Sequence, residues 1–457
     1  MIFLKLLFLS STGFLIWRFN QKILKYLSVL LLLELTACFL LLALTGYQFF
    51  IVLLPIISSY FFAGLLSKDE GLIDKLNIWF LILVCQVILI GESLSLLTAI
   101  NGHSYLAATI LIFLVSFFTV KDKKQSALDD WAQFKEYKSK LIILLKENQL
   151  LSFFMAVFLI SLIWRIFLIL YVPPNSWDAM TYHLSRVAYW LQNGSIKHFF
   201  THYWGQAVNA PNTEFLYLWM MVGSKLDRFC GFVQFSCYLL SGTLLFICLR
   251  RYLKTAIAAS LFIVLIWYSF PLMVAQSTST QNDHVVAYFI MFSLVYFLLR
   301  KESLNKRLAL SATALAVSAG VKITFVFYLL PFALILFIFF LKDKISLRKI
   351  FFWALVFLTA FLLLSSYNYI LNYLDYGNFL SSRQGVHNHS IESISFKGFS
   401  STLAKHLFNL ITNQSGLRFY LGNFAYDYCR FIAATGENLF NKFNIPANMP
   451  GVSSLTW

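Results

Sequence analysis

Long apolar runs broken by short polar punctuation set the pattern of this chain. The runs recur at about 17–25 residues, the length a helix needs to cross a hydrocarbon layer about 30 Å thick. Barrel strands would be about ten residues long and would alternate. Spanning helices are expected at about 2–17, 26–46, 47–67, 77–99 and 104–120. A second set is expected at about 150–172, 229–249, 255–275, 283–299, 307–321, 323–341 and 349–371. The pattern therefore predicts an all-α polytopic membrane protein with about 12 spans.

The basic residues orient these spans, because Lys and Arg accumulate in cytoplasmic loops. Arg18, Lys22, Lys25, Lys68, Lys75, Arg250, Arg251, Arg300, Lys301 and Lys342 fall at alternate span ends. The stretch from Lys121 to Lys140 is the most charged in the chain and is expected in the cytoplasm. Asp178, Asp283, Lys322 and the tail 372–457 then share the opposite, external side. Four regions follow: an N-terminal membrane module at 1–120, a basic cytoplasmic linker at 121–149, a membrane core at 150–371 with an external loop at 173–228, and an external region at 372–457. The chain ends at Leu455-Thr456-Trp457 with neither a helix stop nor a charge, so the domain is expected to continue.

Composition agrees with this reading. The 457 residues are 59% hydrophobic and 12% charged, with a mean hydropathy of +0.73; soluble domains carry about 25% charged residues. The net charge of +16 belongs to a protein whose cations decorate loops and face lipid headgroups, and no nucleic-acid partner is expected. The six cysteines are scattered, with neither a disulfide framework nor zinc spacing.

One polar stretch interrupts the pattern and carries the candidate chemistry. Pro173-Pro174 stops the preceding helix, because proline lacks the N–H and clashes with the turn before it. Residues 177–191 then have helical period, with Met180, Leu184, Val187 and Leu191 on one face and Asp178, Tyr182, Arg186 and Tyr189 on the other. A helix lying on the membrane would bury the first face and present the second to a cavity. Asn175 or Ser176 is the candidate N-cap. Asp178 reads either as a carboxylate complementing the helix dipole or as a general base reachable from water and lipid.

Other polar points fall on the same side. Asp283 opens a span, where a carboxylate is costly and usually has a partner or a task. Lys322 interrupts two apolar segments and suits either a lipid phosphate or snorkelling to the interface. Glu214 closes the external loop and reads as cavity-lining or as a helix-start residue. His183 lies near an acid in sequence. His198 and His202 are four apart, a spacing that serves a metal if the segment is helical. The apolar run Phe215 to Gly223, about nine residues, is too short to cross and is expected to be re-entrant or interfacial.

The run Trp177-Asp178-Ala179-Met180-Thr181-Tyr182-His183-Leu184-Ser185-Arg186, in the first large loop after a span, resembles the polyprenyl-phosphate-sugar-dependent membrane glycosyltransferases of the GT-C fold. These are glycosyltransferase family 39, with the protein O-mannosyltransferases and the aminoarabinose transferase relatives. The resemblance extends over about 150–371 through Arg250-Arg251, Thr280-Gln281-Asn282-Asp283 and Gly320-Val321-Lys322.

The resemblance implies an inverting transfer of a sugar from a polyprenyl-phosphate donor to an acceptor glycan, lipid or protein. It would take place at the external face of a bacterial inner membrane. Asp178 would be the base, Lys322 and Arg186 would stabilise the leaving phosphate, and Asp283 would shape the donor or metal pocket. Tyr182, His183 and Glu214 would complete the substrate site. The mannosyltransferases carry a second acid directly after the first, where this chain has Ala179, so the cofactor stays open between a divalent metal and none. The first five expected spans have no counterpart in the core pattern. The alternatives are a transporter or flippase of a lipid-linked glycan, and a polysaccharide polymerase or ligase.

Overall fold

The fold is known from a computed structural model. It describes residues 26–34, 36 and 46–385, apart from 69, 301, 344, 345 and 384, together with isolated residues 403, 431, 434, 435, 438 and 442. The expected first span, about half of the second and most of the tail lie outside the described residues.

Among the described residues every regular element is helical. We number the principal helices α1 Phe49–Leu66, α2 Leu72–Leu96, α3 Gly102–Thr119, α4 Lys123–Glu147, α5 Gln149–Tyr171, α6 Leu184–Asn193, α7 Asn212–Ser224, α8 Gly231–Ile247, α9 Ile257–Ser269, α10 Asp283–Leu298, α11 Leu304–Val321, α12 Val326–Asp343, α13 Leu347–Leu364 and α14 Ser366–Tyr376. Six helices are long and apolar enough to cross a membrane: α1 with its leading turn, α2, α3, α5, α8 with its flanking turns, and α13. Three further apolar helices, around α9, α10 and α12, are shorter. This is an integral membrane protein by the length and composition of its helices.

Local chemistry explains the breaks. Asn101 caps α3 by accepting from the backbone N–H groups of His103 and Ser104. Pro173-Pro174 follows the end of α5. Gly194 and Gly377, both at positive φ, end α6 and α14. The expected span at 349–371 is two helices, because Ser365 leaves the helical region at φ −142° between α13 and α14. The stretch expected as a linker contains one continuous 25-residue helix, α4. Its Asp130 and Ser126 hold the buried Lys75 of α2 at 2.5 and 2.6 Å.

The helices divide into inner and outer. In α3 and α13 only 17% of the apolar stretch is buried, against 61% in α2, so α3 and α13 face lipid and α2 is central. The innermost helix is α7, the short run expected at an interface. All its residues except Met221 are buried, and it packs on α1, α2, α6, α8 and α11. Glycines permit this: a Cβ on Gly91 of α2 would sit 2.4 Å from the Phe215 ring, and one on Gly223 2.4 Å from Val52 of α1. The small side chains Ala312, Ala316 and Ala319 give α11 a similarly close fit against α10 and α13.

The two ends of α2 carry different polar clusters. Near its start, Arg307, fully buried, donates to Asp74 at 2.9 Å and Glu70 at 2.5 Å. Arg251 reaches Asp74 at 2.6 Å and Lys306 reaches Glu70 at 2.7 Å. Near its other end, Ser95 bonds to Ser195 and Tyr367. These levels are roughly 30 Å apart along the helix, about the thickness of a bilayer core. The described helices up to Tyr268 and those of 276–385 belong to one compact unit; residues 269–275 and 386–457 form a second, of which the described part is mainly residues 269–275.

Candidate active site

The site begins where α5 stops. After the two prolines the chain makes a turn of helix at Trp177-Asp178 and then a wide π-turn over Ala179–His183 before α6. Ser176 Oγ accepts from the Ala179 N–H at 3.4 Å, so Ser176 takes the capping role. The π-turn inserts an extra residue into the helical register, and this changes which side chains point inward. Met180, expected in the buried stripe, is 54% exposed. His183 and Arg186 are buried instead. The amphipathic pattern expected over 177–191 therefore fails at its start.

Two polar layers result. The inner one is closed. His183 Nδ1 lies 2.8 Å from Glu214 Oε1, and Arg186 Nη1 lies 3.9 Å from the same oxygen, with all three side chains buried. Arg186 donates to the Ala207 carbonyl at 2.7 Å and to Asn368 Oδ1 at 3.1 Å, and its guanidinium covers the Trp190 ring. Burial pulls the Arg186 guanidinium down to about 10, against the pull of Glu214 in the other direction, so it stays charged at neutral pH. Glu214 Oε2, His183 Nε2 and Arg186 Nε have no protein hydrogen bond. Arg186 thus faces Glu214, and it fixes the loop 173–228 to α14.

The outer layer is open. Asp178 is partly exposed and accepts from Gln281 Nε2 at 3.4 Å. Two residues on, Asp283 starts α10 and pairs with Lys322 at 2.8 Å, each about a third or more exposed. The Asn282 side chain donates to the Val321 carbonyl at 3.1 Å, and the Tyr217 hydroxyl donates to the Gln281 carbonyl. These bonds lock the 281–283 turn to the α11 terminus and to α7. Tyr182 lies between the layers: burial first, then the charges of Asp178, Glu214, Tyr203 and Asp283, push its phenol above the usual tyrosine range. It is a hydrogen-bond donor at any physiological pH.

The structure thus brings Asp178, Tyr182, Asp283 and Lys322 into one open cluster, with His183, Arg186 and Glu214 directly behind it. Both histidines of the metal candidate lie elsewhere in character. Residues 195–203 form no helix, so the spacing of His198 and His202 has no helical meaning. His198 is buried, 2.7 Å from Asp375, and stacks on Tyr376; His202 is exposed beside Phe200. Among the described residues no group of three His, Cys, Asp or Glu has the spacing of a metal site, and the two histidines do not fit one.

Four residues of the site were not singled out by type and pattern. Gln281 stands in the polar run before Asp283 and was visible only as its flank. Asn368 and Asp375 stand in and after an expected span; the polar series Ser365, Ser366, Asn368, Asn372 inside that apolar run was the available signal. Tyr203 had no sequence signal beyond its aromatic type. No family model, curated protein or solved structure matches this chain.

Proposed function

We propose that the chain is an inverting membrane glycosyltransferase of GT-C architecture, taking a sugar from a polyprenyl-phosphate donor at the non-cytoplasmic face. The observation that carries the reading is the meeting of a half-open carboxylate, Asp178, with the Asp283–Lys322 pair across Gln281, at one end of an apolar helix bundle. A lipid-linked donor needs an entrance from the bilayer; a transfer needs a base and a cation at neighbouring points. The basic residues at the other end of α2 support the assignment of this end as external.

In this reading Asp178 removes the proton from the acceptor hydroxyl or amine. The freed electron pair forms the new bond at the anomeric carbon. The bond from that carbon to the phosphate oxygen breaks, and the electrons leave with the polyprenyl phosphate. Lys322 meets the developing negative charge, swinging from Asp283 or sharing its ammonium with it. Tyr182 donates a hydrogen bond to substrate or to Asp178. His183, Arg186 and Glu214 act as positioning residues that hold the π-turn.

A transporter would ask for polar groups along a path through the bundle. The buried polar side chains between the two polar clusters are instead bonded to one another: Ser58 with Gln86, and Asn77 with Thr243 and Tyr288. Purified protein in nanodiscs, given polyprenyl-phosphate sugars and membrane extract as acceptor, should release polyprenyl phosphate. Asp178→Asn should lower the rate by at least about 100-fold, the scale of general-base catalysis, with unchanged thermal unfolding. An Asp178→Asn protein as active as wild type would refute the base assignment.

A further inference from the structure

Beside the cluster lies a second cavity that the transfer chemistry does not use. Its volume is about 590 Å³, inside the range of about 300–1,000 Å³ typical of small-molecule sites. Its walls combine aromatic faces with hydrogen-bonding groups: Phe200, Trp204 and Tyr376 with Thr201, Asp375 and Arg383. We infer that this cavity is a subsite for a saccharide chain, the acceptor end of the proposed transfer.

Three features point to a sugar. First, Phe200 is 90% exposed and stands in the cavity wall with Trp204 and Tyr376, so open aromatic surface faces the space. Aromatic faces carry partial negative charge and attract the positively polarised C–H groups of a pyranose face, which a flat ring covers well. Second, a carboxylate and a guanidinium on the same walls offer fixed acceptors and donors for hydroxyl groups. Third, the walls are built in advance. His198 Nδ1 lies 2.7 Å from Asp375 Oδ2, and its ring stacks on Tyr376 with ring centres 5.5 Å apart. Burial first, and then the charge of Arg186, push His198 below the usual histidine range. Thr201 bonds to Gln206 at 2.7 Å, and Gln206 donates to the Thr181 carbonyl at 2.6 Å, which ties the cavity wall to the π-turn.

The placement fits an acceptor. Trp204 contacts the Tyr203 ring at 5.9 Å between centres, and Tyr203 contacts Tyr182 at 6.1 Å. The Tyr203 phenol is pushed up by burial and then by the charge of Asp178. The Tyr203 and Tyr182 rings therefore run from the cavity toward the base, so a chain seated in the cavity would present its end past them to Asp178.

The inference rests on the transferase reading only for the word acceptor; sugar binding itself is tested without any donor. Wild-type protein in nanodiscs would be mixed with hexasaccharides of glucose, mannose, N-acetylglucosamine and rhamnose, and saturation-transfer NMR recorded. At least one sugar should receive saturation. Phe200→Ala and Asp375→Asn, both at exposed positions, should each weaken its affinity by about tenfold, a loss of about 1.4 kcal/mol, with unchanged unfolding. Saturation of none of the four, or equal affinity in Phe200→Ala, would overturn the inference. So would Trp204 fluorescence, taken as wild type minus Trp204→Phe, that is quenched by brominated phospholipid and unmoved by sugar; that result would make the surface a bilayer contact. Sugar binding without transfer would leave this inference standing and remove the transferase reading.

Discussion

Glu214 shows how much one residue can decide at this site. It is fully buried, yet among the described residues it is the only carboxylate within 4.0 Å of both His183 and Arg186. Removing one member of a buried ionic group leaves the others uncompensated in a low dielectric, a loss of roughly 3–5 kcal/mol. Glu214→Ala should therefore destabilise the protein by about that amount in denaturant titrations in detergent. Glu214→Gln should cost less, because the amide still offers an oxygen to Arg186 and His183. Equal stability of Glu214→Ala and wild type would show that the trio is not what holds the π-turn. Asp178, by contrast, is half-open and loosely bonded, so its substitution is expected to cost activity and little stability.

At the scale of elements, the chain reaches the site by fitting a short helix where a span would not go. Helix α7 enters the bundle because its neighbours offer glycine. A Cβ at Gly320 of α11 would sit 2.2 Å from the Asn212 amide, which donates to the Val317 carbonyl and to Ser365 Oγ at 3.1 Å each. Gly320→Ala should push Asn212 out of those bonds and cost about 1–3 kcal/mol, the range for overpacking a well-filled core. Since Lys322 follows two residues later, the same variant should lower transfer activity more than Gly64→Ala. There the nearest atom is the Ser126 hydroxyl at 3.2 Å, a much looser approach. Comparison of unfolding midpoints and rates for the pair would test this, and an inert Gly320→Ala would contradict the close fit. The π-turn belongs to this scale too: it turns His183 and Arg186 inward and leaves Asp178 at the rim.

Across the whole molecule, the first helices and the core are held as one body by charge at one end and by α7 within. Arg307 of α11 binds Glu70 and Asp74, ahead of and within α2, and Arg251, from the π-turn after α8, joins them. The carboxylates are 7% exposed. Arg307→Met should lower stability by roughly 3–5 kcal/mol and make the connection between α1 and α2, which carries Glu70, more sensitive to protease. An Arg307→Met protein with wild-type unfolding and cleavage would mean that Arg251 and Lys306 suffice. Of the five spans expected before residue 121, α1 and α2 have a structural role: they form part of the wall around α7, the helix that carries Glu214.

The linear pattern alone determined that this is a helical membrane protein, because backbone groups in lipid must be satisfied within each span and only long apolar runs allow that. It also located Asp178, Asp283 and Lys322, since charge among apolar residues is costly and therefore conspicuous. It did not determine what those charges meet. The depth of α7, the inward turn of Arg186, the pairing of His198 with Asp375 and the aromatic cavity beside Tyr203 join residues up to 182 positions apart. Such contacts depend on how helices cross and where a single π-turn shifts the register. Periodicity records which face of a helix is apolar; packing decides what that face touches.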